Sequence, residues 1–244
     1  MTKVSKTKLN TIDPDELLNE HGADAVRLVI VSDTPPDRDQ PWSDEGLEGA
    51  RRFLRRLWNM VHEDLDALQA AEPFAGDPTP LSGGDAALCR TVHQTIKSAT
   101  EDYEVTRHFN TALARVFELV NAIRASKSAR PAVLRLAYET VVKLLAPVTP
   151  HICAELWETL GGELPLVEAA WPEHDEAALK TDNIEVVVQV NGKLRATVTV
   201  PADAGEDAVR ELALADENVK KHIEGKEVVK VIVVPGRLVN VVVK

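Results

Sequence analysis

The stretch GARRFLRRLWNMVHEDLDAL, residues 49–68, decides the fold of the larger part of this chain. Apolar side chains recur in it every three or four residues, which is the period of an α-helix with one buried face. The residues on that face are Phe53, Leu54, Leu57, Trp58, Val61 and Leu65. Because so apolar a face must pack against other elements, the stretch predicts a helix inside a helical bundle.

Three later stretches have the same helical period and are separated by polar or Gly/Pro-rich breaks. They are ALCRTVHQTIKSATEDY (87–103), HFNTALARVFELVNAIRAS (108–126) and PAVLRLAYETVVKLLAPVTPHICAELWETLGG (131–162). Helices joined by short breaks pack antiparallel. We therefore predict a bundle of four or five helices over residues 46–180.

The pattern changes over residues 181–244. IEVVVQVNGKLRATVTV (184–200) contains two β-branched runs around Asn191-Gly192, a dipeptide that favours a type I′ hairpin turn. A helical stretch at 203–225 follows, and then a second pair of runs around Pro235-Gly236. This order predicts a small α+β domain with helix on one face of its sheet. The predicted fold class is mostly α with a smaller α+β domain.

Composition limits the possible functions. The chain has 244 residues and is 44% apolar, which is enough for a sizeable core. A net charge of −11 argues against wholesale nonspecific nucleic-acid binding, although it permits a local basic patch. The two cysteines, Cys89 and Cys153, predict buried free thiols, and no Cys/His spacing suggests a metal site. No apolar run is long enough for a membrane span, so we expect a cytoplasmic protein without membrane contact.

The N-terminal stretch MTKVSKTKLNTIDPDEL (1–17) begins with a lysine-rich segment that has no acidic residue in its first nine positions. Asp13 is a predicted N-cap, with Pro14 at the first helical position. Gly22 ends this short helix and a second one follows, after which three prolines in residues 34–45 predict an extended linker. A cationic loop that leads into a helix is suited to binding an anion. We assign residues 1–45 to this loop, the short helices and the linker.

The segment KVSKT (3–7), followed by GADAVR (22–27), resembles the Lys-Met-Ser-Lys-Ser loop and the helices after it in class I aminoacyl-tRNA synthetases. The resemblance continues along the chain and is closest to the C-terminal portion of bacterial leucyl-tRNA synthetases. The stretches that carry it are SDTPPDRDQPWSDEGLEGARRFLRRLWNMV (32–61), FNTALARVFELVNAI (109–123), LLAPVTPHICAELWETLG (144–161), VVVQVNGKLRATVTV (186–200) and KVIVVPGRLVNVVVK (230–244).

This resemblance implies the function of a longer parent enzyme, which ligates leucine to tRNA(Leu) with ATP and Mg²⁺ through leucyl-adenylate. It implies that Lys3 and Lys6 are catalytic and that Lys3, Ser5, Lys6 and Thr7 contact the ATP phosphates, where mobile ammonium groups stabilise developing charge. The loop departs from the family pattern in carrying Val4 for Met and Thr7 for Ser. The chain has no His-X-Gly-His motif and no nucleotide-binding fold, so we expect it to be inactive alone, with no cofactor of its own. The catalytic half would be a partner, in cis or in trans.

The resemblance also implies that this portion binds tRNA and not DNA. The candidate tRNA-binding residues are Arg51, Arg52, Arg55, Arg56, Lys193, Arg195, Lys220, Lys221 and Arg237. Helical spacing places Arg52, Arg55 and Arg56 near one face, and alternation along a strand predicts that Lys193 and Arg195 share a face. In each case the alternative is an ordinary solvated cation whose stem covers apolar neighbours.

Two interpretations of the whole chain stay open at this level. The chain is either the tRNA-binding portion of a leucyl-tRNA synthetase, as a fragment or a split subunit, or a stand-alone noncatalytic RNA-binding or scaffold protein derived from one. The change from KMSKS to KVSKT mildly favours the second interpretation.

Overall fold

A computed structural model describes residues 13–39, 42–78, 80–163, 165–180, 183–201, 204–226, 228–234 and 237–244, without the side chains of 183–185. The chain divides into two compact units, residues 1–179 and 180–244. The first unit is helical and the second contains a small sheet with helices. The predicted fold class, mostly α with a smaller α+β domain, is confirmed.

The first unit is a bundle of helices. In chain order they are α1 (Pro14–His21), α2 (Ala23–Ser32), α3 (Asp44–Glu63), α4 (Leu65–Gln69), α5 (Gly83–Glu101), α6 (Phe109–Ala125), α7 (Pro131–Leu145), α8 (Pro150–Thr159) and α9 (Glu176–Leu179). A π-helical turn, Asp102–Thr106, extends α5. At the start of α1 the Asp13 carboxylate accepts a hydrogen bond from the Asp15 amide and Pro14 is the first helical residue, as the sequence predicts.

The apolar stripe of α3 packs into the core of this bundle. Phe53, Leu54, Leu57 and Val61 are buried, and the Phe53 ring lies 4.4 Å from that of Phe117 on α6, centroid to centroid. The helix ends at Glu63, earlier than the continuous period to residue 68 predicts. Asp64 leaves the helical conformation with φ −99° and ψ 2°, and a new helix, α4, begins after it. The redirected α4 buries Leu68 completely, whereas the predicted core residue Leu65 is only partly buried.

The segment predicted as a separate N-terminal part belongs to the bundle. Three side chains of α2, those of Ala25, Leu28 and Val29, are members of the same buried cluster as the α3 stripe. α2 is itself amphipathic, and the bundle covers its apolar face.

A buried carboxylate on α2 accepts hydrogen bonds from the N-terminus of α8. Asp24 is only 9% exposed and lies in the first turn of α2. It accepts hydrogen bonds from the Ile152 amide at 2.8 Å and from Nδ1 of His151 at 2.9 Å, and the Arg27 guanidinium lies 3.4 Å away. The α8 N-cap residue, Thr149, makes no side-chain cap bond to its own helix. Asp24 therefore caps α8 from another helix, where the N-terminal partial charge favours a carboxylate.

The second unit consists of β1 (Asn183–Val190), β2 (Lys193–Pro201), α10 (Glu206–Ala215), α11 (Glu217–Ile223), β3 (Val228–Val234) and β4 (Leu238–Val243). The strand order is β2-β1-β4-β3, with β1 and β4 parallel and the outer pairs antiparallel. Valines on one face of the sheet, including Val188, Val239 and Val241, share a buried cluster with Val219 of α11.

Two local features of the second unit, a hairpin turn and a helix, can be compared with what its sequence predicts. Asn191 and Gly192 both have positive φ, 50° and 77°, as the predicted type I′ turn requires. The single helix predicted for 203–225 is broken at Asp216, which has extended backbone angles and caps α11 through the amides of Asn218 and Val219. The predicted Pro235-Gly236 turn lies outside the described residues. Within the described ranges, no helix is both long and apolar enough for a membrane crossing.

We expect Asp24→Ala to lower the free energy of unfolding of the first unit by about 3 kcal/mol. The substitution leaves the partly buried Ile152 amide and the exposed His151 ring without their acceptor, and hydrogen bonds to a charged group contribute about 1.5 to 3 kcal/mol each. Urea unfolding followed by tryptophan fluorescence reports on this unit alone, since Trp42, Trp58, Trp157 and Trp171 all lie in it. Glu118→Ala, an exposed position on α6, serves as the control and is expected to change stability by less than about 0.5 kcal/mol. An equally small effect at Asp24 would show that the cap is energetically unimportant.

Candidate nucleic-acid interface

The face of α3 opposite its apolar stripe carries the arginines singled out in the sequence. Arg52, Arg55 and Arg56 are exposed and line one cleft beside Asn59 and Met60. Arg51 does not line that cleft, and its guanidinium lies 3.6 Å from Glu48 on the same helix. The structure therefore brings three of the four predicted α3 arginines together and separates the fourth.

The opposite wall of this cleft comes from a different helix. Arg124 lies in the last turn of α6 and Lys127 in the turn that follows, and both are exposed. We call the space between them and α3 the arginine cleft. It has a volume of about 380 Å³ and is lined by Arg52, Arg55, Arg56, Asn59, Met60, Glu63, Asp64, Ile123, Arg124, Lys127, Leu134 and Tyr138.

The five cations of the arginine cleft differ from other basic residues of the bundle in their surroundings. Several other basic side chains of the bundle form ion pairs with carboxylates, as in Arg130–Asp85 at 2.6 Å, Lys97–Glu176 at 2.6 Å and Arg135–Glu139 at 2.9 Å. Among the described residues, none of the five cleft cations forms an ion pair. A group of unpaired cations in a protein of net charge −11 creates a local positive potential suited to a polyanion.

The base of the arginine cleft is fixed by a buried tyrosine. The Tyr138 hydroxyl of α7 donates to Oδ2 of Asp64 at 2.9 Å. Burial raises the pKa of Tyr138, and the neighbouring charge and hydrogen bond of Asp64 raise this pKa further. The hydroxyl therefore stays protonated and remains a donor at neutral pH. Arg56 is also restrained, because its guanidinium lies 5.6 Å from the centroid of the Phe53 ring.

The predicted basic residues of the second unit do not form a comparable cleft. Lys193 pairs with Val190 across the hairpin, and Ala196 pairs with Val188, so Arg195 is an extra residue in a β-bulge. The bulge interrupts the regular alternation along β2 on which the predicted shared face of Lys193 and Arg195 depends. Lys193 is exposed, whereas Arg195 is partly buried.

The remaining predicted cations of this unit lie on two elements. Lys220 and Lys221 are exposed in the last turn of α11. Arg237 is exposed just before β4, and its backbone carbonyl accepts a hydrogen bond from the Val187 amide. These positions form a dispersed set of cations.

The loop residues Lys3, Ser5, Lys6 and Thr7 lie outside the described residues. In the part of the chain that is described, no group of three or more His, Cys, Asp or Glu side chains is arranged to hold a metal ion. Cys89 and Cys153 are buried free cysteines, as the sequence predicts, and burial raises the pKa of Cys153 to about 12.

The comparison with known families decides the relationship. The family described as "Anticodon-binding domain of tRNA ligase" matches residues 85–210, slightly more than half of the chain. This chain belongs to that family. The matched region begins in α5, includes α6 to α8 and extends into the second unit as far as α10.

Relatives and a solved structure extend the likeness to nearly the whole chain. The leucine–tRNA ligases of Desulfatibacillum aliphaticivorans and Thioalkalivibrio sulfidiphilus are 47% and 50% identical to it, over 99% of the chain but only 28% and 30% of their own lengths. A leucyl enzyme of Agrobacterium radiobacter K84, crystallised in a ternary complex described as LeuRS-tRNA-LeuAMS, superposes with a TM-score of 0.88 at 31% identity. That superposition covers 99% of this chain and 32% of the other. The predicted resemblance to the C-terminal portion of leucyl-tRNA synthetases is confirmed.

Sequence reasoning missed the second wall of the arginine cleft. Arg124 and Lys127 follow an apolar helix and read as ordinary C-terminal cations that complement the helix dipole. Their i, i+3 spacing was a weak signal that both point the same way. Only the three-dimensional structure shows that they line the same cleft as the α3 arginines.

We expect Tyr138→Phe to destabilise the first unit by about 1 kcal/mol at pH 8, because the hydrogen bond to Asp64 is lost. This difference should shrink as the pH rises above about 10. The folded-state pKa of Tyr138 is raised, so its stabilising contribution is complete below the unfolded-state pKa and declines above it, whereas phenylalanine has no such dependence. Urea midpoints of the two proteins at pH 8 and pH 10.5 test this. A gap that widens with pH would contradict the burial of the Tyr138 hydroxyl.

Proposed function

We propose that this chain is the tRNA-binding portion of a leucine–tRNA ligase and that its partner is tRNA(Leu). The chain spans less than a third of the length of the leucine–tRNA ligases it matches, so the ligase reaction is assigned to the longer parent enzyme. The superposed Agrobacterium enzyme was crystallised in a complex with tRNA, which supports an RNA partner for this fold.

The observation that carries the proposal is the arginine cleft. Arginine suits phosphate recognition because its planar group offers several donors and stays charged at all relevant pH values. Contacts to phosphates position an RNA without reading its sequence. The cleft would therefore hold the tRNA backbone, and preference for tRNA(Leu) would come from the overall shape of the RNA.

The second unit would provide a further contact to the same RNA. Its candidates are Lys193, Arg195, Lys220, Lys221 and Arg237. These cations are spread over one strand, one helix end and one loop. Such a dispersed set is better suited to a broad surface that follows the shape of the RNA than to a pocket for a single chemical group.

In the parent enzyme, Lys3, Ser5, Lys6 and Thr7 would contact the phosphates of ATP bound with Mg²⁺. Lysine suits this role as a flexible point charge that can close over phosphates as charge develops. The catalytic part of the enzyme would be the second partner of this chain, and we place the whole assembly in the cytoplasm. The alternative, a stand-alone noncatalytic RNA-binding or scaffold protein, is not favoured, since the matched relatives are ligases along 99% of this chain.

We expect the purified chain to bind tRNA(Leu) more tightly than a noncognate tRNA and to lose affinity steeply as salt rises. Each phosphate contact contributes a slope of about −0.9 to −0.7 in log K against log salt. Replacing Arg52 and Arg55 by alanine should reduce the magnitude of that slope by about 1.4 to 1.8. The control is Arg51→Ala compared with Arg52→Ala alone, since each removes one positive charge from α3 and only Arg52 lies in the cleft.

Three results are informative in this titration. Preferential binding that depends on Arg52 and Arg55 supports the proposal. Binding with equal losses in the Arg51 control would mean that only the net charge of α3 matters. Absence of binding to either tRNA at low salt would refute an autonomous tRNA-binding function for this chain.

A further inference from the structure

We propose that the arginine cleft binds the sugar–phosphate backbone of an RNA strand and distinguishes ribose from deoxyribose. In this assignment Arg124 and Lys127 form the second phosphate-binding wall, opposite Arg52, Arg55 and Arg56. Glu63, at one end of the cleft, accepts a hydrogen bond from a ribose 2′-hydroxyl. The inference rests on the proposed function, because it specifies how that RNA is held.

The length and walls of the cleft fit an extended backbone. Its α3 wall runs from Arg52 to Glu63, which is about 16 Å at 1.5 Å per residue. Phosphates of one strand are spaced about 3.4 Å apart along a duplex axis, so the wall can meet more than one of them. Cations on two helices can contact a strand from both sides, whereas α3 alone would contact only one side.

The apolar lining between the cations suits the uncharged part of the backbone. Met60, Ile123 and Leu134 line the cleft between its two basic walls, and all three are buried residues that fix the position of the base. Ribose carbons can pack against such a surface while the phosphates reach the cations. A site for a free inorganic anion would need no apolar strip.

The carboxylates in the cleft are the unexpected feature. Glu63 and Asp64 line it together with five cations, and a negative charge there weakens the binding of any polyanion. Asp64 is engaged by the Tyr138 hydroxyl. Glu63 is exposed, and no described residue donates a hydrogen bond to it or forms an ion pair with it. Its oxygens are therefore free acceptors beside a phosphate-binding surface.

A free acceptor at this place discriminates between nucleic acids by simple chemistry. The 2′-hydroxyl is a donor that RNA has and DNA lacks, and it is the group by which proteins tell the two apart. RNA would gain a hydrogen bond that offsets the repulsion between Glu63 and the phosphates. DNA would experience the repulsion without that bond.

Two substitutions at Glu63 separate its charge from its acceptor oxygen. The probes are a tRNA(Leu) transcript and a DNA strand of the same sequence, each titrated with the 244-residue chain at low salt. Glu63→Gln keeps an acceptor oxygen, and we expect it to raise the affinity for RNA and DNA by a similar factor. Glu63→Ala removes the acceptor, and we expect the ratio of RNA to DNA affinity to fall about tenfold relative to the glutamine variant. Glu118→Ala, an exposed acid on α6 outside the cleft, should leave the ratio unchanged.

The second wall is tested by replacing both Arg124 and Lys127 with alanine. The magnitude of the salt slope should then fall by about 1.4 to 1.8 for RNA and for DNA alike, because phosphates are common to both. The control pair is Arg51→Ala with Arg115→Ala, which removes two cations that already face Glu48 and Asp102. Urea midpoints for every variant confirm that the bundle is intact.

The outcomes distinguish this inference from the function on which it rests. Normal RNA binding with an unchanged salt slope in the Arg124/Lys127 variant would overturn the second wall and leave the proposed function standing. Equal RNA-to-DNA ratios for Glu63→Ala and Glu63→Gln would overturn the recognition of ribose. Absence of any RNA binding by the unmodified chain would overturn both proposals together.

Discussion

Burial of one face of α3 is the constraint on which the arrangement of the first unit depends. A helix repeats every 3.6 residues, so fixing Leu57 and Val61 in the core fixes where Arg52 and Arg56 project. The free energy for this placement comes from apolar burial across the bundle. The arginines are held in position by a core to which they contribute little. The backbone of α3 is already ordered by the bundle. No further backbone entropy is therefore lost when its arginines bind a polyanion.

The second constraint on the first unit is a buried charged side chain. Asp24 would be costly to bury alone, yet it is compensated by the N-terminus of α8, by His151 and by Arg27. The hydrogen bonds have a demanding geometry, whereas apolar contacts between α2 and its neighbours tolerate sliding. The carboxylate therefore fixes the register between α2 and α8. This explains why an acidic residue follows Gly22 at the start of an otherwise apolar helix.

Helical periodicity and turn chemistry predicted most of the fold. The bundle, the hairpin turn at Asn191-Gly192 and the helix start at Asp13 all depend on neighbouring residues, which a sequence displays directly. The breaks at Asp64 and Asp216 were missed because an aspartate inside a helical period is ambiguous until its partner is known. At Asp64 that partner is Tyr138, 74 positions away. Arg124 and Lys127 were missed for the same reason, since a cleft between helices is a property of packing.

The chain as a whole is acidic whereas the arginine cleft is basic, and together these charges determine where a polyanion can bind. A net charge of −11 repels nucleic acids at long range, but at about 0.15 M salt charges separated by more than roughly 8 Å are largely screened. An RNA that reaches the surface therefore responds mainly to the charges nearest to it, and in the arginine cleft these are five cations with no ion-pair partner among the described residues. Several lysines and arginines elsewhere on the bundle are neutralised by carboxylates, as at Arg130–Asp85. Grouping five unpaired cations in one cleft while pairing these others favours binding at that cleft, and it lowers the affinity for polyanions that do not fit there.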